Sequence, residues 1–188
     1  MINKKLFFDS VRDTLFKGEL NQDQVRTMES FIDFYETYSG GAGRVININA
    51  FAYLLATVYH ETAKTFLPIA EYGKGKGLKY GTPDPVTGKT YYGRGYVQLT
   101  WAYNYKKLGD MFGVDLLNNP ELAMSHPIAM KILFSGMNHG LFTGKKLGDY
   151  FNVHTRDYLG ARRIINGTDK AEQIANYAIL FNQALKLT

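Results

Sequence analysis

The chain has 188 residues, 45% of them hydrophobic and 21% charged, which is the composition of one globular domain with a real core. It contains no cysteine, so disulfides, thiolate metal sites and cysteine nucleophiles are excluded. The formal charge of +5 favours an anionic partner such as nucleic acid, a membrane surface or an acidic cell-wall polymer, and it suits a mildly basic soluble surface equally well.

Residues 4–17 and 21–38 carry the apolar spacing of two amphipathic helices. At the N-terminus only Leu6 to Phe8 follow the lysines before Asp9 intervenes, so no signal-peptide core forms. No run approaches the roughly 18 apolar residues of a membrane span. A cytoplasmic protein without stable membrane insertion is expected. In the second helix Val25, Met28, Phe31, Ile32 and Tyr35 recur at three- and four-residue steps, and Asn21 with Gln24 forms a capping-box pattern. "SGGAG" at 39–43 predicts its end.

A third helix is predicted from Asn49 as N-cap through Phe51, Leu54, Leu55, Val58 and Tyr59. Residues 68–95 hold seven glycines and three prolines without helical period, a long irregular region of the kind that carries function or disorder. Helical pattern returns at 96–112. Two proline-started helices follow, "NPELAM" with Asn119 as cap and "HPIAMKILFSGM" with His126 as cap before Pro127. "LGDYF" and "TRDYLGARRIING" predict shorter helices, and the last helix begins near Asp169, with Glu172 three residues on, and ends near Leu187. The fold class is therefore all-α, mainly helical with room for one small β-hairpin. It is organised as a single catalytic domain over 1–188 in which the helices of 1–40 pack on a core of 41–188.

Two carboxylates stand out. Glu61 follows Leu54 and Val58 at the margin of the apolar stripe, where loss of hydration raises a carboxyl's pKa and keeps it protonated for acid catalysis. A helix-end glutamate paired with Lys64 or Lys79 explains the same spacing. Glu71 is followed by Gly73, Lys74, Gly75, Lys76, Gly77 and Lys79, a cationic setting that keeps a base ionised, and a solvated loop residue is the competing reading.

Other motifs fail. "GKT" at 88–90 has Pro83 where a phosphate-binding loop needs its first glycine, and "HETAK" has Lys64 where a zinc protease has its second histidine. The four histidines lack metal-ligand spacing, and the sequon at Asn166 means little without secretion. No metal and no cofactor is expected.

"YYGRGYVQLTWAYNY" at 91–105 decides between these readings. Gly93 and Gly95 allow tight turns, Arg94 offers a fork of donors, and Gln98, Thr100, Tyr103 and Asn104 present amides and hydroxyls among aromatic rings. The chemistry suits a sugar groove, and a single-stranded nucleic-acid groove would share it.

The segment closely resembles glycoside hydrolase family 19, whose plant chitinases carry a similar "YYGRGP-Q-S-NYNYG" stretch after a "HET" helix. "HET" at 60–62, "YYGRG" at 91–95, "QLT" at 98–100, "YNY" at 103–105 and "IING" at 164–167 match in order, over roughly residues 45–170. The short interval from Glu61 to Glu71, the absence of cysteine and the compact length resemble the phage and prophage endolysin-type members.

The resemblance implies a lysozyme-like, two-lobed fold with a central cleft. It implies a monomeric hydrolase that cleaves β-1,4 bonds in bacterial peptidoglycan with inversion, acting at the cell wall after release. The two carboxyl groups of such an enzyme stand roughly 6.5–9.5 Å apart. A chitinase and a non-catalytic glycan-binding module are the alternatives; the partner is peptidoglycan or a chitin-like glycan, and not nucleic acid. By position Glu61 matches the general acid and Glu71 the general base, with Thr100 helping to hold the attacking water. Gln98, Tyr103, Asn104 and Asn166 match substrate-binding positions, and Tyr91 and Arg94 match the cleft wall. Tyr96 stands where the family has proline, and Trp101-Ala102 replaces a more polar pair. No arginine lies in the last helix, so the supporting cation of the family falls to Arg162 or Arg163.

Overall fold

The computed structural model describes residues 1–39 and 46–188. Among them seven α-helices and one small sheet follow in the order α1 (Lys4–Thr14), α2 (Gln22–Ser39), α3 (Ile48–Glu61), β1 (Ile69–Ala70), β2 (Arg94–Gly95), α4 (Ala102–Phe112), α5 (His126–His139), α6 (Leu147–Tyr150) and α7 (Ala171–Leu185). The mainly helical class with one small antiparallel sheet is the one the sequence predicts. The expected stop at 39–43 falls, from residue 40 on, outside the described residues. Two compact units emerge, Met1–Phe66 with Phe134–Thr188, and Leu67–Leu133.

The first unit is built round α3. Ten consecutive residues, Ala50 to Tyr59, are buried, so α3 is covered on all sides and its sequence has no solvent stripe. Glu61, its last residue, is where the helix leaves the core. The cap is Asn47, whose Oδ1 accepts from the amides of Asn49 and Ala50 at 3.0 Å. Asn49, the expected cap, lies inside the helix, and its Oδ1 accepts from Asn182 Nδ2 at 3.1 Å. Rings join the helices: Phe7 stacks on Phe181, Tyr59 meets Phe181 edge-on, and Tyr35 lies parallel to Phe51 at 4.2 Å. The N-terminal helices thus share one core with α3 and α7.

The second unit is tied by short-range polar contacts. β1 pairs antiparallel with β2, Ile69 opposite Gly95 and Ala70 opposite Arg94, which closes the long glycine-rich loop. Arg94 bridges again to Leu99. Gly81 packs so closely on the backbone of Gly75 that a side chain on either would meet the other strand of the loop. The "GKT" stretch closes a turn in which Asp84 Oδ1 accepts from the amides of Val86 and Thr87, and these bonds hold the Asp84 carboxyl below its ordinary value.

Several boundaries differ from expectation for identifiable reasons. α4 begins at Ala102 because Gln98 and Trp101 take left-handed conformations, φ 52° and 71°, which no helix accommodates. "NPELAM" forms a 3-10 turn, and Asn119 makes no side-chain cap. His126 is the first residue of α5, whose hydrogen-bond ladder opens at the Ser125 carbonyl. α7 starts at Ala171 behind Lys170, which also takes a left-handed conformation and makes no side-chain cap.

His126 gives a pH prediction. Its Nδ1 shares a 2.5 Å hydrogen bond with Tyr96, the residue that replaces the expected proline, and burial lowers its pKa from 6.5. Burial lowers His60 likewise, against an opposing pull from Glu61. The unfolded chain therefore takes up protons first. Stability is full above about pH 6.5 and falls as pH drops through the folded values. The carboxyls held low, Asp9, Asp84 and Asp115, titrate below 3.8 and act only in more acid solution. Thermal midpoints are expected to decline from pH 7 to pH 4.5, with a shallower slope in His126→Asn.

Candidate active site

Glu61 is brought to its position by the burial of α3 and is itself held by a cation. Arg162 Nη1 lies 2.6 Å from Glu61 Oε1, with side-chain exposures of 4% and 19% respectively. Arg162 sits in the 3-10 turn Gly160–Ile164, and its Nε donates to the Asp169 carbonyl at 2.9 Å. One guanidinium thus clamps the turn after it to the end of α3. Lys64, one partner in the alternative reading of the spacing, is not within ion-pair distance of Glu61, and of the two arginines weighed, Arg162 is buried and Arg163 exposed. Apolar walls alone do not describe the surroundings of this acid. Asn166 is exposed, and its amide donates to the Arg162 carbonyl at 3.0 Å, so it shares the turn that presents Arg162. The buried Tyr53 hydroxyl has no hydrogen-bond partner among the described residues, and burial pushes this phenol upward.

Glu71 is held in the second unit by two donors. Tyr80 donates its hydroxyl to Oε1 at 2.9 Å, and the Gly93 amide donates to Oε2 at 3.0 Å. The Glu71 amide in turn donates to the Gly93 carbonyl at 2.7 Å. Among the described residues no lysine is within ion-pair distance of Glu71, so the cationic setting read from Lys74, Lys76 and Lys79 gives way to specific hydrogen bonds. A carboxylate accepts at about four lone-pair positions, and each oxygen here keeps one for a water. Burial first, and then the bond to Glu71, raise the Tyr80 pKa, so this phenol stays a donor. Gly93 is required by this packing: a Cβ there would lie 2.7 Å from Gln98 Oε1 and 3.2 Å from Glu71 Cβ. If Glu71 acts as the base proposed below, Tyr80→Phe is expected to lower turnover about tenfold with an unchanged fold, because it frees one carboxylate oxygen. Steady-state rates beside circular dichroism check it.

The 91–105 strip divides into scaffold and surface. Tyr91 and Arg94, expected on the cleft wall, are each 2% exposed. Tyr91 donates to the Leu117 carbonyl, while Arg94 reaches Glu121, the carbonyls of Thr90 and Tyr92, and the Tyr105 hydroxyl. Their donors are consumed inside the protein, which assigns both to support. Gln98 spends its Nε2 on the Ile69 carbonyl at 3.1 Å. Asn104 spends its Nδ2 on the Thr100 carbonyl at 2.9 Å. The Thr100 hydroxyl makes no protein hydrogen bond among the described residues. Tyr103 is 67% exposed, and Trp101, 41% exposed, meets Tyr80 edge-on at 5.5 Å.

Among the described residues eight non-glycine residues take positive φ; Ala63, Lys64 and Phe66 follow Glu61, while Lys74, Gln98 and Trp101 belong to the unit of Glu71. Such strain persists where surroundings over-determine the backbone, and it clusters at functional sites. Sequence reasoning missed Tyr80 and the Gly93 amide as partners of Glu71. Among the described residues no group of three or more His, Cys, Asp or Glu side chains could hold a metal ion, and no helix is long and apolar enough to cross a membrane.

The sequence profile of chitinase class I, the glycoside hydrolase family 19 domain, matches residues 22–135. The chain belongs to glycoside hydrolase family 19. An endochitinase of Arabidopsis thaliana is 33% identical over 122 residues, covering 64% of this chain and 42% of that protein. The chain spans less than half the length of the curated relatives it matches. Chitinase C from Streptomyces griseus superposes with a TM-score of 0.66 at 25% identity, covering 100% of this chain and 77% of that one. A bacterial family 19 chitinase gives 0.69 at 24% identity, covering 100% and 96%, which supports the helical, lysozyme-like fold.

Proposed function

We propose that the protein hydrolyses β-1,4 glycosidic bonds of bacterial peptidoglycan by an inverting, two-carboxylate mechanism, as an endolysin-type member of its family. Glu61 gives its proton to the leaving glycosidic oxygen as the bond to the anomeric carbon breaks. Water attacks that carbon from the opposite face, and Glu71 takes the water's proton. Arg162 stabilises the anion that Glu61 becomes, and it holds the carboxyl in one orientation. Tyr80 and the Gly93 amide fix Glu71, leaving one acceptor position on each oxygen for the nucleophile. The free hydroxyl of Thr100 is available to a second contact with that water, and Gln98 Oε1, Tyr103, Asn104 Oδ1 and Asn166 are the candidates for sugar contacts.

The observation that carries the reading is that both carboxylates sit on purpose-built supports, an arginine clamp for one and a tyrosine–amide pair for the other, in a family 19 chain. The charge of +5 favours an anionic wall as substrate, reached once the protein is released from the cytoplasm. Chitin is the second reading, favoured by the names of the relatives, which are chitinases. Purified protein is expected to clear outer-membrane-permeabilised bacteria and to release reducing sugars from their walls. Cleavage of chitin oligomers with walls left intact reverses the choice of substrate.

A further inference from the structure

Beside the turn that follows Glu61 lies a cavity of about 350 Å³ that the proposed chemistry does not use. Leu15 and Phe16 form its apolar part, and Lys17, Glu19, Gln24 and Lys64 line it with polar groups. The walls are fixed. Phe16 meets Tyr59 edge-on at 5.2 Å, and the Tyr59 hydroxyl donates to the Leu15 carbonyl. Gln24 Nε2 donates to the Lys64 carbonyl at 3.0 Å, tying the start of α2 to the turn after Glu61. The Lys64 amide donates to the Tyr59 carbonyl at 2.7 Å, and its ammonium lies 5.4 Å from the Tyr59 ring centre, which holds the side chain along the wall. Neither Lys17 nor Lys64 has a carboxylate within ion-pair distance among the described residues.

We propose that this cavity receives the acidic peptide that substitutes peptidoglycan strands, through a peptide carboxylate on Lys17 and Lys64. The inference rests on the peptidoglycan reading and names what distinguishes that substrate from chitin. Chitin is uncharged and carries no peptide, so it leaves both ammonium groups unanswered. A peptide with more carboxylates than amines meets two cations, and Glu19 can receive its amine. Lys64 stands three residues beyond Glu61, at most about 11 Å between their Cα positions, so one wall of the cavity belongs to the turn that follows the carboxylate.

The test uses the full chain on purified wall glycan in two forms, with its peptides and after an amidase has removed them. Wild-type protein is expected to cleave the peptide-bearing strands faster. In the Lys17→Gln/Lys64→Gln double variant the ratio of the two rates is expected to fall about tenfold, through KM, as charge-assisted contacts are lost. Both side chains are exposed, the thermal midpoint checks the fold, and each single variant reads the same ratio. A ratio unchanged from wild type, or an equal loss on both strand forms, overturns the cavity assignment and leaves the hydrolase reading standing. Wild-type protein that cuts chitin oligomers and neither strand form overturns the substrate reading, and the cavity assignment with it.

Discussion

Glu61→Gln is expected to lower glycan hydrolysis about a thousandfold, the scale of losing a general acid, with KM little changed. The amide cannot deliver a proton, yet it keeps an oxygen where Arg162 Nη1 now finds Oε1 at 2.6 Å. Arg162 also remains anchored through Nε to the Asp169 carbonyl, so the turn that carries it keeps its place. The variant should therefore unfold within a few degrees of wild type while activity is lost, and that divergence separates chemistry from support. Rates on wall glycan, measured beside thermal unfolding, check it. Retention of more than a tenth of wild-type turnover contradicts the role of Glu61.

Arg94→Met is expected to have the opposite character, a large loss of stability. The Arg94 side chain is 1% exposed and pairs with Glu121, whose own side chain is 71% exposed. Its guanidinium lies 3.6 Å from the centre of the Tyr92 ring. Methionine fills the space but takes the Arg94 donors from the Thr90 carbonyl and the Tyr105 hydroxyl, and leaves the Tyr92 carbonyl with the Tyr105 hydroxyl alone, in the strip that carries Gly93. Glu121 can rehydrate, so the cost comes from the hydrogen bonds lost at Thr90, Tyr92 and Tyr105, about 3 kcal/mol in total. For a chain of this size that is roughly 6–12 °C in thermal midpoint. Arg94→Lys recovers only part, since an ammonium cannot reproduce the fork. Activity per folded molecule should fall too, because the Gly93 amide fixes Glu71 Oε2 at 3.0 Å.

How far the sequence disclosed this molecule depended on the range of the forces involved. Helices whose ends are set by neighbours were legible: Asn21 and Gln24 exchange two 2.9 Å bonds, the capping box their spacing implies. Where a distant chain segment decides, local pattern misled. Asn49 looks like a cap, but Asn182, 133 residues away in sequence, accommodates it inside the helix, and Asn47 caps instead. The two glutamates were visible as candidates, while their partners were not equally so. Arg162 lies 101 residues from Glu61 and could be weighed only as one of two arginines. Tyr80 sits nine residues from Glu71 in a loop without period, and no rule of spacing brings its hydroxyl back. The "YYGRG" arginine has the composition of a ligand group, and only burial, a property of the folded state, reassigns it to support.

The most direct measurement is the anomeric form of the first products, followed by proton NMR in the opening minutes of a wall-glycan digest, before mutarotation. Cleavage that uses Glu61 as proton donor and Glu71 to activate water yields the α-anomer first from a β-linked strand. Appearance of the β-anomer first would mean retention, and the assignment of Glu71 as a base acting on water would be wrong.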